Sequence, residues 1–234
     1  MLRLALITSV VVSSSGLALA APPAPPLAAQ SLVRARFGAA AEVRWDASLQ
    51  APKSLRGLSV ATVGKDAGER AVGFVHGARD IFGVGPSVDV VPVETVAPAG
   101  RSVVRMNATY DGLVVEGRTV VVTLDAAQRV TSVTSDLGPL SVPRPAAVIS
   151  PEAAKQAVAA RFVVAQTGIP TQVVVANGTA GRVAWRVPAM VVPLTGHFFV
   201  WVDAETGAIL REAPAGADQT MQRLPERGPA EDAP

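Results

Sequence analysis

The stretch from Arg105 to Asp125, RMNATYDGLVVEGRTVVVTLD, decides the fold. It belongs to a strand read from Ser102 to Tyr110, in which Val104, Met106, Ala108 and Tyr110 alternate on one side. Asp111-Gly112 follows. That dipeptide is a strong hairpin signal, because both central residues of a type I′ turn need positive φ. The return strand runs from Leu113 to Leu124. A turn over Asp125 to Gln128 leads to a third strand, Arg129 to Thr134. Three strands joined by short turns make an antiparallel meander, with one face for a helix to cover.

Upstream, Ala67 to Phe82 has helical spacing. Ala71, Phe74, Val75, Ala78, Ile81 and Phe82 fall on one face, and Gly83 suits a left-handed C-cap. Downstream, Pro143-Arg144-Pro145 resists both helix and central strand and reads as a linker. A second helix-then-strands order follows. Ser150-Pro151-Glu152 supplies an N-cap, a first-turn proline and a first-turn acid. Ala154, Ala157, Val158 and Phe162 form the apolar stripe, and Gly168-Ile169-Pro170 is the expected end. Strands are predicted at Gln172 to Ala176, Arg182 to Val187, His197 to Asp203 and Ala208 to Arg211. Within the second of these, Val183, Trp185 and Val187 alternate against Arg182, Ala184 and Arg186, which argues for one buried face. The expected class is α+β: two small units, each an antiparallel sheet packed against a helix.

The ends read differently. Residues 1–20 have a positive start at Arg3, an apolar run and a closing Ala18-Leu19-Ala20, the pattern of a cleaved secretory signal peptide. The run is too short to span a bilayer, which takes about 20 apolar residues. Cleavage is predicted after Ala20, so the protein is expected to be secreted or periplasmic, with no membrane attachment afterwards. Residues 21–31 read as a Pro/Ala linker favouring extended structure. Residues 213–234 read as a flexible acidic tail. The formal net charge is only +2, and no basic cluster with interleaved aromatics is visible, so nucleic acid is not an expected partner. With no cysteine, disulfides and thiolate chemistry are excluded.

The central block resembles the fungalysin/thermolysin propeptide (FTP) domain. Arg105, Tyr110, Gly112, Val115, Gly117 and Asp125 stand in the family's order, while Asn107 stands where that family usually has Gln. Val43 to Asp46, Pro52 to Gly57 and Ile81 to Val84 resemble the upstream parts of such propeptides. The second unit resembles a PepSY domain in its Ser150 to Ala153 helix start, its Ala184-Trp185-Arg186-Val187 strand and its Val202 to Leu210 block. The resemblance divides the chain into an FTP-like domain at 32–142 and a PepSY-like domain at 146–212. It marks Arg105, Tyr110, Gly112, Gly117, Trp185, Asp203 and Gly207 as family positions, mostly structural. Gly112 and Gly117 read as a turn and a bulge. Tyr110 and Trp185 read as core or sheet-face aromatics. Arg105 has the best claim to a role beyond packing, with a structural ion pair as the equal alternative.

A thermolysin-type peptidase would also carry H-E-x-x-H, two zinc-binding histidines one turn apart with a glutamate base. The only histidines here, His76 and His197, stand in different units and outside any such motif. No nucleophile elbow or phosphate loop occurs. The expectation is therefore a non-catalytic protein with no catalytic residues, metal or cofactor. The resemblance implies a thermolysin-type catalytic domain as partner, bound as an inhibitor or folding chaperone. Glu212 and Asp218 of the acidic tail are candidates for contact with it. Two alternatives stay open: a truncated remnant of a metallopeptidase precursor, and a general extracellular or envelope PepSY binding protein.

Overall fold

The computed structural model describes residues 27–192 and 196–215. In chain order the elements are α1 (Leu27–Phe37), β1 (Glu42–Asp46), β2 (Ala51–Arg56), β3 (Val60–Ala61), α2 (Ala67–Gly77), α3 (Arg79–Phe82), β4 (Val88–Val96), β5 (Ser102–Tyr110), β6 (Leu113–Leu124) and β7 (Arg129–Ser135). The second half continues with α4 (Pro151–Arg161), β8 (Val164–Thr167), β9 (Thr171–Asn177), β10 (Ala180–Val191), β11 (Gly196–Asp203) and β12 (Ile209–Pro214). The class is α+β. The expected signal peptide, residues 1–20, lies outside the described residues. Among those described, no helix is long and apolar enough to cross a membrane.

The strands form one sheet rather than two. Antiparallel neighbours run β4-β5-β6-β7-β2-β1 in the first half, with β3 also on β7. In the second half they run β9-β10-β11-β12, with β8 on the far end of β10. A short parallel pairing of β6 with β9, Val115 to Val174 and Glu116 to Val175, joins the halves. The two antiparallel groups of strands expected from sequence are present, but their backbones are hydrogen-bonded to each other.

Several boundaries differ from the sequence reading. Helix α1 begins at Leu27, inside the stretch expected to be an extended linker. All prolines of that stretch precede Leu27, and the remaining leucine and alanines are good helix formers. Tertiary packing then fixes the helix: Val33 is buried, and Phe37 stacks on Phe74 with ring centroids 5.6 Å apart. The helix expected over Ala67 to Phe82 is broken at Ala78, whose φ of −115° and ψ of 19° leave helical space. The Gly77 carbonyl there accepts a bond from the Arg36 guanidinium. Gly83 does cap α3 in the left-handed conformation, at φ 65°.

Ser150 caps α4 as expected, accepting the Ala153 N–H at 3.1 Å. The helix ends at Arg161 rather than at Gly168, because Phe162 turns extended and buries its ring. The β-branched Val163 and Val164 then lead into β8. Strand β4 carries no clean alternation and contains Pro92, features that suit only an edge strand; its register shifts between Pro92 and Glu94. The stretch read as a flexible tail from residue 213 begins inside β12, where Ala213 and Pro214 pair with Phe199 and Phe198.

All four helices lie on one side. Leu55, Val104, Met106, Val120, Val122 and Val174 point into the core that holds Phe74, Val75, Ile81 and Phe82. Val174 is in register with Val183, which by alternation shares a face with Val187. Val187 packs with Val200 and Val202 against Ala154, Val158 and Phe162 of α4. The face seen by α1 to α3 is thus continuous with the face seen by α4, and among the described residues the opposite face carries no helix.

Candidate functional site

The helix-free face is built by strand alternation. In the first half, Arg105, Val121, Thr134, Ser54 and Arg44 stand in register across β5, β6, β7, β2 and β1. Their chain neighbours Val104, Met106, Val120, Val122, Val133 and Leu55 are buried on the helix side. In the second half, Arg186, Trp201 and Arg211 stand in register across β10, β11 and β12. The Arg211 guanidinium lies 4.8 Å from the Trp201 ring centroid, and that of Arg186 lies 5.1 Å from the Phe199 ring. Phe199 and Trp201 meet at 6.1 Å with tilted planes. Beneath them Val173, Ala184 and Trp201 form a small buried cluster, flanked by partly buried Val175, Leu210 and Ala213. The Trp201 indole N–H and the Arg186 Nε are buried without an acceptor among the described residues. Arg186 Nη1 donates to Glu116 Oε1 at 3.1 Å, tying β10 to β6 across the seam.

One end of this face opens into a cleft of about 610 Å³. The Pro143-Arg144-Pro145 segment arches over it. The arch is pinned at one foot by Ser141, whose N–H donates to the Thr179 carbonyl and whose carbonyl accepts the Gly181 N–H, both at 2.9 Å. At the other foot the Ala146 N–H donates to Glu205 Oε1 at 3.3 Å. Asp203 lies at the base. Its Oδ1 accepts the Glu205 and Thr206 N–H groups at 3.0 and 2.9 Å, and its Oδ2 accepts from Arg182 Nη1 at 3.1 Å. Burial pushes the Asp203 carboxyl up, but these hydrogen bonds outweigh it and hold the pKa below its ordinary value.

The sequence-marked positions do not converge. Arg105 is exposed on the helix-free face, opposite Glu94 and Val121, and among the described residues forms no ion pair. Tyr110 is half-buried against the helix-side core. Asp111 and Gly112 have φ of 46° and 85°, the double positive φ of the expected turn. Gly117, at φ 74°, sits in the bulge where Asn107 and Thr109 face Thr119 and Val114. Trp185 faces the helices, its indole N–H bound to the Ile149 carbonyl at 3.0 Å. Gly207, at φ 73°, completes the turn that Asp203 organises. Glu212 lies in β12 opposite Val200 rather than in a loose tail. Asp218 lies outside the described residues.

The residues that sequence reasoning passed over are those of the seam and the open face. Arg118 is buried, donating to the carbonyl of Gly138 at 3.1 Å and to that of Gly178. Burial lowers its pKa, with Asp136 opposing the shift. Phe199 and Trp201 lie in a strand that was expected, but nothing in sequence shows which arginines meet them. His76 bonds Asp89 at 2.6 Å, and Asp80 is held by Arg36 at 2.7 Å. Among the described residues, no three histidine, aspartate or glutamate side chains converge on a metal-sized point.

Residues 89–137 match the Fungalysin/Thermolysin Propeptide Motif, a segment that runs from β4 through β7 and carries Arg105. The curated proteins give no match to the chain. Among solved structures, the chain is similar to the Bacillus megaterium YpeB C-terminal domain. The identity is 14% over 70% of this chain and 71% of that one, with a TM-score of 0.35.

Proposed function

We propose that this chain is an exported, non-catalytic propeptide-like protein that binds the catalytic domain of a thermolysin-type metallopeptidase, as inhibitor or folding chaperone. The observation that carries the reading is the propeptide-motif match over residues 89–137. That segment is the central meander, and it presents Arg105 on a face that no described helix covers. The second half is read as PepSY-like on its Trp185 strand and its Asp203-to-Gly207 turn. Export rests on the signal-peptide pattern of residues 1–20.

The test mixes the mature chain with thermolysin-type catalytic domains, and measures peptide hydrolysis and the recovery of activity after denaturation. Slower hydrolysis or faster refolding, with a complex on gel filtration, is the expected outcome. A catalytic domain indifferent to the chain at high micromolar concentration in both assays refutes the reading.

A further inference from the structure

We infer that the cleft beneath the Pro143-Arg144-Pro145 arch is a peptide-binding site, which takes an extended segment of another chain by main-chain hydrogen bonds to the free edge at the start of β10. The inference stands apart from the partner class proposed above, and either can fail without the other.

The argument begins with where the main chain of β10 finds its partners. In a paired strand the N–H and C=O of one residue point to the same side, and successive residues alternate sides. Ala180 and Arg182 stand opposite Asn177 and Val175 and turn these groups to β9. Gly181 and Val183 turn theirs the other way. The Gly181 N–H donates there to the Ser141 carbonyl at 2.9 Å, and the Val183 carbonyl accepts the Ala204 N–H at 3.0 Å. The Gly181 carbonyl and the Val183 N–H remain, and among the described residues neither has a partner.

The sequence explains the gap. Ser141 pairs in parallel with Ala180, so the next linker residue due to pair is Pro143, opposite Arg182. Proline has no N–H to give the Gly181 carbonyl. On the other flank, the Ala204 carbonyl is taken by the Ile149 N–H at 2.8 Å. An unpaired donor and acceptor on a sheet edge are the groups to which an added strand binds.

Both groups belong to the cleft. Gly181 and Val183 line it, and each offers main chain rather than side chain. Gly181 has no side chain, and Val183 stands in register with Val174 of the helix-side core. Their spacing fits one residue of a segment running parallel to β10, whose N–H meets the Gly181 carbonyl and whose carbonyl meets the Val183 N–H. Val175, Leu210, Pro143 and Pro145 supply apolar walls for an aliphatic side chain. The nearby charges are already used: Arg182 pairs with Asp203, and Glu205 accepts the Ala146 N–H. The described end of the chain leaves in the other direction. Strand β12 starts beside the cleft and runs to Ala215, whose N–H donates to the His197 carbonyl at the far end of β11.

The test uses NMR on the mature chain with two probes: acetyl-Ala-Val-Ala-amide, and the same molecule with an ester oxygen in place of the valine N–H. In the free chain the Val183 amide is expected to exchange with solvent about 10-fold or more faster than those of Trp185 and Val187, which lie in the β10–β11 ladder. The amide probe is expected to shift and protect the Val183 amide at millimolar concentration. The ester is expected to bind about 10-fold more weakly, because it leaves the Gly181 carbonyl without a donor. A Val183 amide as protected as its neighbours in the free chain overturns the inference, since the edge is then already filled. Equal binding of the two probes overturns it as well, and so does a Val183 amide that does not respond at about 10 mM of the amide probe.

Discussion

Arg186 and Glu116, 70 residues apart, share a hydrogen bond of 3.1 Å across the parallel seam between β6 and β9. The carboxylate belongs to the hairpin of the first half and the guanidinium to the central strand of the second. The backbone pairing at this seam covers only Val115 to Val174 and Glu116 to Val175. The side-chain bond adds a directional tie where the ladder is thinnest.

That tie is measurable by a double-mutant cycle. Glu116→Gln, Arg186→Met and the double variant are expected to give a coupling of about 0.5–1 kcal/mol in urea unfolding. The value is kept low because the arginine side chain is 35% exposed and partly screened. Additive single effects would mean that the pair is only adjacent.

Arg118 is expected to matter more. It is 5% exposed and binds the carbonyls of Gly138 and Gly178, which lie in the segment just after β7 and in the β9–β10 turn. Arg118→Met leaves both carbonyls short of a donor, a cost of about 2–4 kcal/mol. Arg118→Lys places one ammonium where a fork reached two acceptors, and is expected to recover only part of the loss. Urea unfolding of the three proteins checks both values, and a wild-type midpoint for Arg118→Met would mean that its two carbonyl bonds add nothing to stability.

Gly112 tests the hairpin. A Cβ at Gly112 meets nothing within 4 Å, so the penalty of Gly112→Val is backbone strain at φ 85° and not a clash. About 1–2 kcal/mol is expected, a fall in Tm of about 2–8 °C. Gly77→Ala is the contrasting case. It adds a methyl in open space at a helical residue of ordinary φ, and is expected to raise Tm slightly. Equal shifts in the same direction would remove the turn argument.

Asp203 sets an acid limb. Its folded-state carboxyl lies below its ordinary value of 3.8, so the ionised form is favoured by folding. Its contribution is therefore complete above the unfolded pKa and is lost as pH falls through the folded one. Asp203→Asn keeps an acceptor but no charge. The gap in stability between wild type and Asp203→Asn is expected to be constant above about pH 5 and to shrink below pH 4. A gap that does not change with pH would mean that the charge at this turn contributes nothing.

Much of this was written in local sequence. Asp111-Gly112, Ser150-Pro151-Glu152 and Gly83 specify a turn, a helix start and a helix end through backbone preferences that a few residues decide among themselves. The alternation of Val104, Met106 and Ala108, and of Val183, Trp185 and Val187, assigns buried faces in the same way. The limits of local reading are equally specific. Leu27 to Gln30 lie beside a proline run, and it is tertiary contact, the burial of Val33 and the stacking of Phe37 on Phe74, that fixes their helix. Ala78 sits in a good helical pattern, yet the chain breaks there.

The candidate surface belongs wholly to the second class. Sequence showed no basic cluster because Arg44, Arg105, Arg186 and Arg211 are far apart along the chain. Strand alternation determined that Arg105 and Arg186 each point away from a core. It could not determine that the two cores lie on the same side, because that depends on the pairing of β6 with β9. Two parallel strands pair through backbone groups that every residue carries, so no residue pattern announces the partner. That pairing, with the Glu116–Arg186 and Arg118–Gly178 bonds beside it, aligns the two half-sheets and gathers the arginines onto one face.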